Sequence, residues 1–265
     1  MPRAHRHYIP GLVWHITHRC HQRDFLLRSL EDRERWLHWL RTSKERYGIH
    51  ILNYMATCNH IHLLVRDQGP ERSIARSIQL TAGRTAQEHN RRTNRRGAFW
   101  EDRYHATAVE SDLHLVRCIA YMDTNMVRAG VVKHPSEWPS SGYREIRDGK
   151  GADGLVDMEG LLELLDVPDV RTLRKAHEEW IEHYLDRDAR RRQKRWTESV
   201  AVGRRSFVEA ARAELKYRIK GRRVVEGDDG VCQLREPSAG YGASPGAEEG
   251  ATDDNRCLWE IFPDI

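Results

Sequence analysis

Two histidines one residue apart, His60 and His62, and a tyrosine and an asparagine four apart, Tyr121 and Asn125, stand out in this 265-residue chain as residues that could do chemistry. Side chains alternate faces along a strand, so "NHIHLLV" (59–65) sets both imidazoles on one face and Ile61, Leu63 and Val65 on the other. Such a pair can hold a metal ion, or be two polar teeth on a strand. In "YMDTNMVRAGVV" (121–132) Tyr121 and Asn125 share one face of a helix. A tyrosine hydroxyl, with an ordinary pKa near ~10, is a poor nucleophile at neutral pH and needs help to attack.

The elements that must position these residues are readable from pattern. "GLVWHITHRC" (11–20) predicts a first strand, on which His15 and His18 read as polar strand residues rather than ligands. Ser29 with Asp32 forms a capping pair ahead of a helix bearing Trp36, Leu40 and Tyr47, and Gly48 falls where a C-cap belongs. Residues 49–57 and 60–65 alternate with period 2 and predict a hairpin, and 71–90 predict a helix. A further strand is expected over 104–110, then a helix from Ser111 to Ala129 and Gly130. This order, strand, helix, two strands, helix, strand, helix, gives an α+β domain with helices on one face of an antiparallel sheet. Beyond about residue 145 the pattern predicts a basic helical extension over 146–225, including one helix over 158–185 and another opened by a Ser206–Glu209 capping box. Residues 226–265 are acidic and Gly-rich and are expected to be a flexible tail.

Charge follows the same division. The net charge of +4 hides ten Asp/Glu against two Arg in 226–265, which leaves 42 Lys/Arg against 30 Asp/Glu, or +12, in 1–225. A basic body of that size suits a polyanion. "RRTNRRGAFWEDRY" (91–104) interleaves arginines with aromatics, a composition able to grip phosphates and stack bases. The five cysteines form no CxxC pair, so no thiolate zinc site is expected. With a mean hydropathy of −0.76, no run approaches the roughly 18 apolar residues of a membrane span, and a cytoplasmic protein with no membrane partner is expected.

The stretches "RHYIPGLVWHIT", "NHIHLLV", "GAFWEDRYHATAV", "YMDTNMVRAGVV" and "WPSSGY" together resemble the single-tyrosine HUH transposases, most closely their REP-associated tyrosine transposase branch, over about residues 5–145. The resemblance implies a ferredoxin-like fold in a catalytic domain over 1–145. It places the metal-binding histidine pair on His60 and His62, the nucleophile on Tyr121 and the third metal ligand on Asn125. Met126 stands where the family commonly has proline. DNA contacts are expected from Arg91, Arg92, Arg95, Arg96, Trp100, Arg103 and Arg128. Implied partners are Mg²⁺ or Mn²⁺ and single-stranded DNA with a hairpin, such as a REP element, with a homodimer as a further possibility. The expected activity is a metal-dependent DNA nicking and joining reaction through a 5′-phosphotyrosine. The alternatives are a non-catalytic hairpin-binding or regulatory module on the same fold and a histidine-metal hydrolase without covalent chemistry.

Overall fold

The computed structural model describes residues 8–149, 154–187, 192–215, 222–227 and 229–236. Its first half is a βαββαβ unit. Strand β1 (Val13–Arg19) leads through a short turn to helix α1 (Leu30–Tyr47), followed by β2 (His50–Ala56), β3 (His60–Arg66), α2 (Ser73–Arg92) and β4 (His105–Val109). As the sequence predicts, the Ser29 hydroxyl accepts from the Asp32 N–H at 3.1 Å, and Gly48 ends α1 in the left-handed conformation at φ 64°.

These four strands lie in the order β2-β3-β1-β4, with every pair antiparallel, which is the ferredoxin-like arrangement. In the β1–β3 register Thr17 is opposite His62 and Arg19 opposite His60. The register of β2 on β3 shifts between Ile51 and Asn53, so Leu52 is a bulge. The extra residue resets the alternation and turns Asn53 and Met55 to the same face as His62.

Helices then follow as α3 (Leu113–Asp123), α4 (Asn125–Arg128), α5 (Tyr143–Asp148), α6 (Met158–Leu165), α7 (Val170–Arg187), α8 (Arg195–Glu198) and α9 (Arg205–Glu214), with β5 (Ser199–Gly203) before α9 and β6 (Arg223–Glu226) and β7 (Cys232–Arg235) after it. The α+β class holds, but the sheet is larger than expected. The extension adds β5, β7 and β6 to the free edge of β4, making one mixed seven-stranded sheet in which β4 and β5 run parallel. "SVAVG" is short and three of its five residues are Ser, Ala and Gly, so it carries little strand signal, yet all five residues are buried against an edge that needs a partner. The boundary expected at 226 falls inside the β6–β7 hairpin, where Cys232 and Leu234 are buried. Residues 237–265 lie outside the described residues.

The helices also occupy both faces of the sheet. Trp14, Ile16 and His18 point toward α1 and α2, where the His18 ring stacks on Trp100 and the Trp100 indole N–H donates to the Ala82 carbonyl of α2. His15 points the other way, toward α3. Nearly every residue of α3 from His114 to Asp123 is buried, so it must be covered on two sides, by the sheet and by α7. Two further expectations change. The helix expected over 158–185 is broken into α6 and α7 where Asp166 turns left-handed at φ 51° ahead of Pro168. The Ser206–Glu209 box does not form, because α9 begins at Arg205 with Arg204 as its N-cap.

Candidate functional site

Strand β3 delivers the two histidines as the alternation requires. The Nε2 atoms of His60 and His62 face each other at 3.0 Å. The Asn125 amide Nδ2 lies 3.0 Å from His62 Nε2, and its Oδ1 is buried without a hydrogen-bond partner. Tyr121 is buried, with its ring centroid 6.1 Å from that of His62. The four residues expected to act together therefore converge, although not on one continuous helix. α3 ends at Asp123 and α4 begins at Asn125, with Thr124 between them at φ −84°, ψ 6°. A hydrogen bond from Asn53 Nδ2 to Asp123 Oδ1 at 2.9 Å and one between His177 and Asp123 Oδ2 at 2.8 Å hold the end of α3 against the sheet and α7.

The site is electrostatically set for neutral imidazoles. Burial, and then the positive charges of Arg19, Arg128 and Arg192, hold His60 down to about 3. Burial lowers His15 to about 3 as well, against the opposing hydrogen bond to Trp196, and lowers His62 well below its ordinary value. Neutral imidazoles are the form that binds metal. Two facing ring nitrogens and an orphaned amide oxygen fit a small divalent cation, since the Asn125 oxygen stays buried without a donor and the lone pair of His62 Nε2 is met only by the Asn125 amide. Among the described residues no cluster of three His, Cys, Asp or Glu offers a metal site elsewhere.

The expected DNA contacts divide into two groups. Arg128 sits over the Tyr121 ring at 4.2 Å, inside the site. Arg91, Arg92 and Arg96 are exposed at the end of α2 and in the turn after it, with Arg92 paired to Asp32 and Glu31. Arg95 donates to the Ala98 carbonyl, and Arg103 is exposed. Trp100 is half-buried with one face taken by His18. This basic turn reaches the site's flank, because the Glu101 N–H donates to the Arg19 carbonyl and Arg19 pairs with His60 across the sheet.

Sequence reasoning missed the parts played by His15 and Asn59, which contact His62 and His60, by Arg19 and Arg192, whose charges lower His60, and by Trp196, whose carbonyl holds His15. His15 could be found only from the β1–β3 register, since it lies on the same face as His62. No local signal marks Trp196, which arrives from the extension.

The fold and this cluster define an α+β domain that gathers two imidazoles, an amide and a phenol at the end of a ferredoxin-like sheet. Residues 9–125, a little under half of the chain, match the family described as transposase IS200 like. A solved structure of a REP-associated tyrosine transposase bound to a REP hairpin is 21% identical, with a TM-score of 0.45, covering 59% of this chain and 94% of its own. A candidate transposase from Deinococcus radiodurans R1 is 18% identical, with a TM-score of 0.31, covering 39% of this chain and 83% of its own. No curated protein matches the sequence.

Proposed function

We propose that this chain is a metal-dependent endonuclease and strand transferase for single-stranded hairpin DNA, with Tyr121 as its nucleophile. The observation that carries the reading is the convergence of His60, His62 and Asn125 beside Tyr121. The two Nε2 atoms and, after a half-turn of the amide, Asn125 Oδ1 would hold the cation. A divalent ion bound there supplies Lewis-acid activation of a phosphodiester. Imidazole ligands favour Mn²⁺ in affinity, and Mg²⁺ serves by abundance.

The Tyr121 oxygen attacks phosphorus, forming the 5′-phosphotyrosine. The bond to the 3′ oxygen breaks, and that oxygen leaves as a hydroxyl after taking up a proton, while the phenolic proton passes to solvent. Another 3′ hydroxyl reverses the step and joins strands with no external energy source. Arg128, over the Tyr121 ring, favours the negative charge that develops on the phenol. The nearly complete burial of Tyr121 keeps competing water from the phosphotyrosine once DNA covers the site.

A cleft of about 910 Å³ runs along α3 and is lined by Arg117, Arg192, Lys194, Arg195 and Arg235, a path suited to a phosphate backbone. The deciding experiment mixes the protein, labelled single-stranded hairpin DNA and Mn²⁺ on a denaturing gel. A labelled band that remains with the protein supports the reading, provided Tyr121→Phe abolishes it while leaving DNA binding within a few-fold. Hairpin binding with no adduct under any metal makes the chain a binding module instead.

A further inference from the structure

We propose that His15, held by the main-chain carbonyl of Trp196, is a positioning residue that fixes the tautomer of His62 and so aims a bare Nε2 at the metal position. This rests on the metal-site reading above.

The inference follows from tracing hydrogens along one chain of contacts. His15 Nδ1 lies 2.9 Å from the Trp196 carbonyl oxygen. A carbonyl only accepts, so this nitrogen carries the hydrogen. His15 is wholly buried, and a neutral imidazole has one N–H, so its Nε2 keeps a lone pair. That lone pair meets His62 Nδ1 at 2.9 Å, with the two rings nearly coplanar in orientation at 3°. His62 Nδ1 must then be the donor, which leaves His62 Nε2 without a hydrogen. An independent contact makes the same choice at the other ligand. His60 Nδ1 lies 2.7 Å from Asn59 Oδ1, and the Asn59 amide is oriented by donating its own N–H to the Arg23 carbonyl at 3.3 Å. His60 Nε2 is therefore also bare.

Two lone pairs thus face each other across 3.0 Å. In the reverse tautomer of His62, Nε2–H would donate to His60 and close the pair as an ordinary hydrogen bond, with no vacant ligand left. Withholding that hydrogen is the function of the His15–Trp196 pair. Outer contacts that orient metal-binding histidines commonly set affinity by about 10–100-fold.

The test uses the full chain and two substitutions. Gln at position 15 can accept from His62 and donate to the carbonyl, whereas Leu can do neither. Mn²⁺ binding is read from the loss of the free-ion EPR signal, and the His62 tautomer from ¹⁵N–¹H correlation in the metal-free protein. His15→Leu is expected to weaken Mn²⁺ binding about 10–100-fold, and His15→Gln to restore it to within a few-fold. The wild-type His62 should carry its hydrogen on Nδ1. Wild-type affinity in a folded His15→Leu variant, or a His62 hydrogen on Nε2 in the wild type, would overturn the proposal. Should His15→Leu fail to fold, the Gln variant and the wild-type tautomer decide. A wild-type protein that binds Mn²⁺ but never forms a DNA adduct refutes the proposed function and leaves this inference standing. If the wild type binds no Mn²⁺, the metal reading fails, and the tautomer measurement alone judges the role of His15.

Discussion

Asn125 and Tyr121 lie in one cluster but predict different failures. Asn125→Ala removes one of three candidate ligands, so metal binding should weaken and cleavage should slow, with partial recovery at excess Mn²⁺. Tyr121→Phe removes the only proposed nucleophilic oxygen, so no metal concentration should recover the adduct. A metal titration of both variants on the same hairpin separates the two roles, and full recovery of Tyr121→Phe would refute the assignment. The histidines make a pH prediction for the metal-free protein. Their folded values lie below the ordinary 6.5, so the unfolded chain takes up protons first, and stability is lost as pH falls from about 6.5 toward about 3. His15 and His60 should each contribute a slope of about 1.4 kcal/mol per pH unit, seen as a falling urea midpoint. A midpoint flat across that window would show that the imidazoles are not held neutral. At this scale strand alternation and helical spacing are local rules that pair His60 with His62 and Tyr121 with Asn125, while the roles proposed for them come from the resemblance. His15 is hidden because its partner lies 47 positions away and becomes a neighbour only through register.

At the scale of elements, the legible features are those signalled by a few adjacent residues: the Ser29 cap, the Gly48 stop and the β2–β3 hairpin. The break at Thr124 and the bulge at Leu52 are not signalled, yet both aim residues at the site. The bulge turns Asn53 toward Asp123, and Asp123 is shared with His177 of α7 in a contact where both side chains are almost wholly buried. Removing one partner of such a pair leaves the other buried with too few contacts, at a cost of about 3–5 kcal/mol. His177→Ala should therefore lower stability by that order in urea unfolding, although it touches none of the four site residues. A change below about 1 kcal/mol would mean that Asn53 alone satisfies Asp123.

The whole molecule differs most from what the pattern suggests, because sheet extension depends on which edge a distant strand finds. The basic body should make hairpin binding fall steeply with salt, and Lys194→Glu or Arg235→Glu in the cleft should weaken binding and flatten that slope. Salt-insensitive affinity would count against the cleft as the DNA path. Truncation gives a sharper contrast. A chain ending at residue 225 loses β7, the strand between β5 and β6, and should unfold or aggregate, whereas one ending at 236 keeps it and should retain Mn²⁺ binding. Equal behaviour of the two in thermal unfolding would show that the hairpin adds nothing. The Trp196 carbonyl beside His15 also has a bearing on the order of events during synthesis. The segment that matches the family ends at residue 125, and Trp196 is made 71 residues later. At ~5–20 residues per second that interval is about 4–14 s. A nascent chain would thus carry its tyrosine and histidine pair on the ribosome for seconds before the contact that holds His15 arrives.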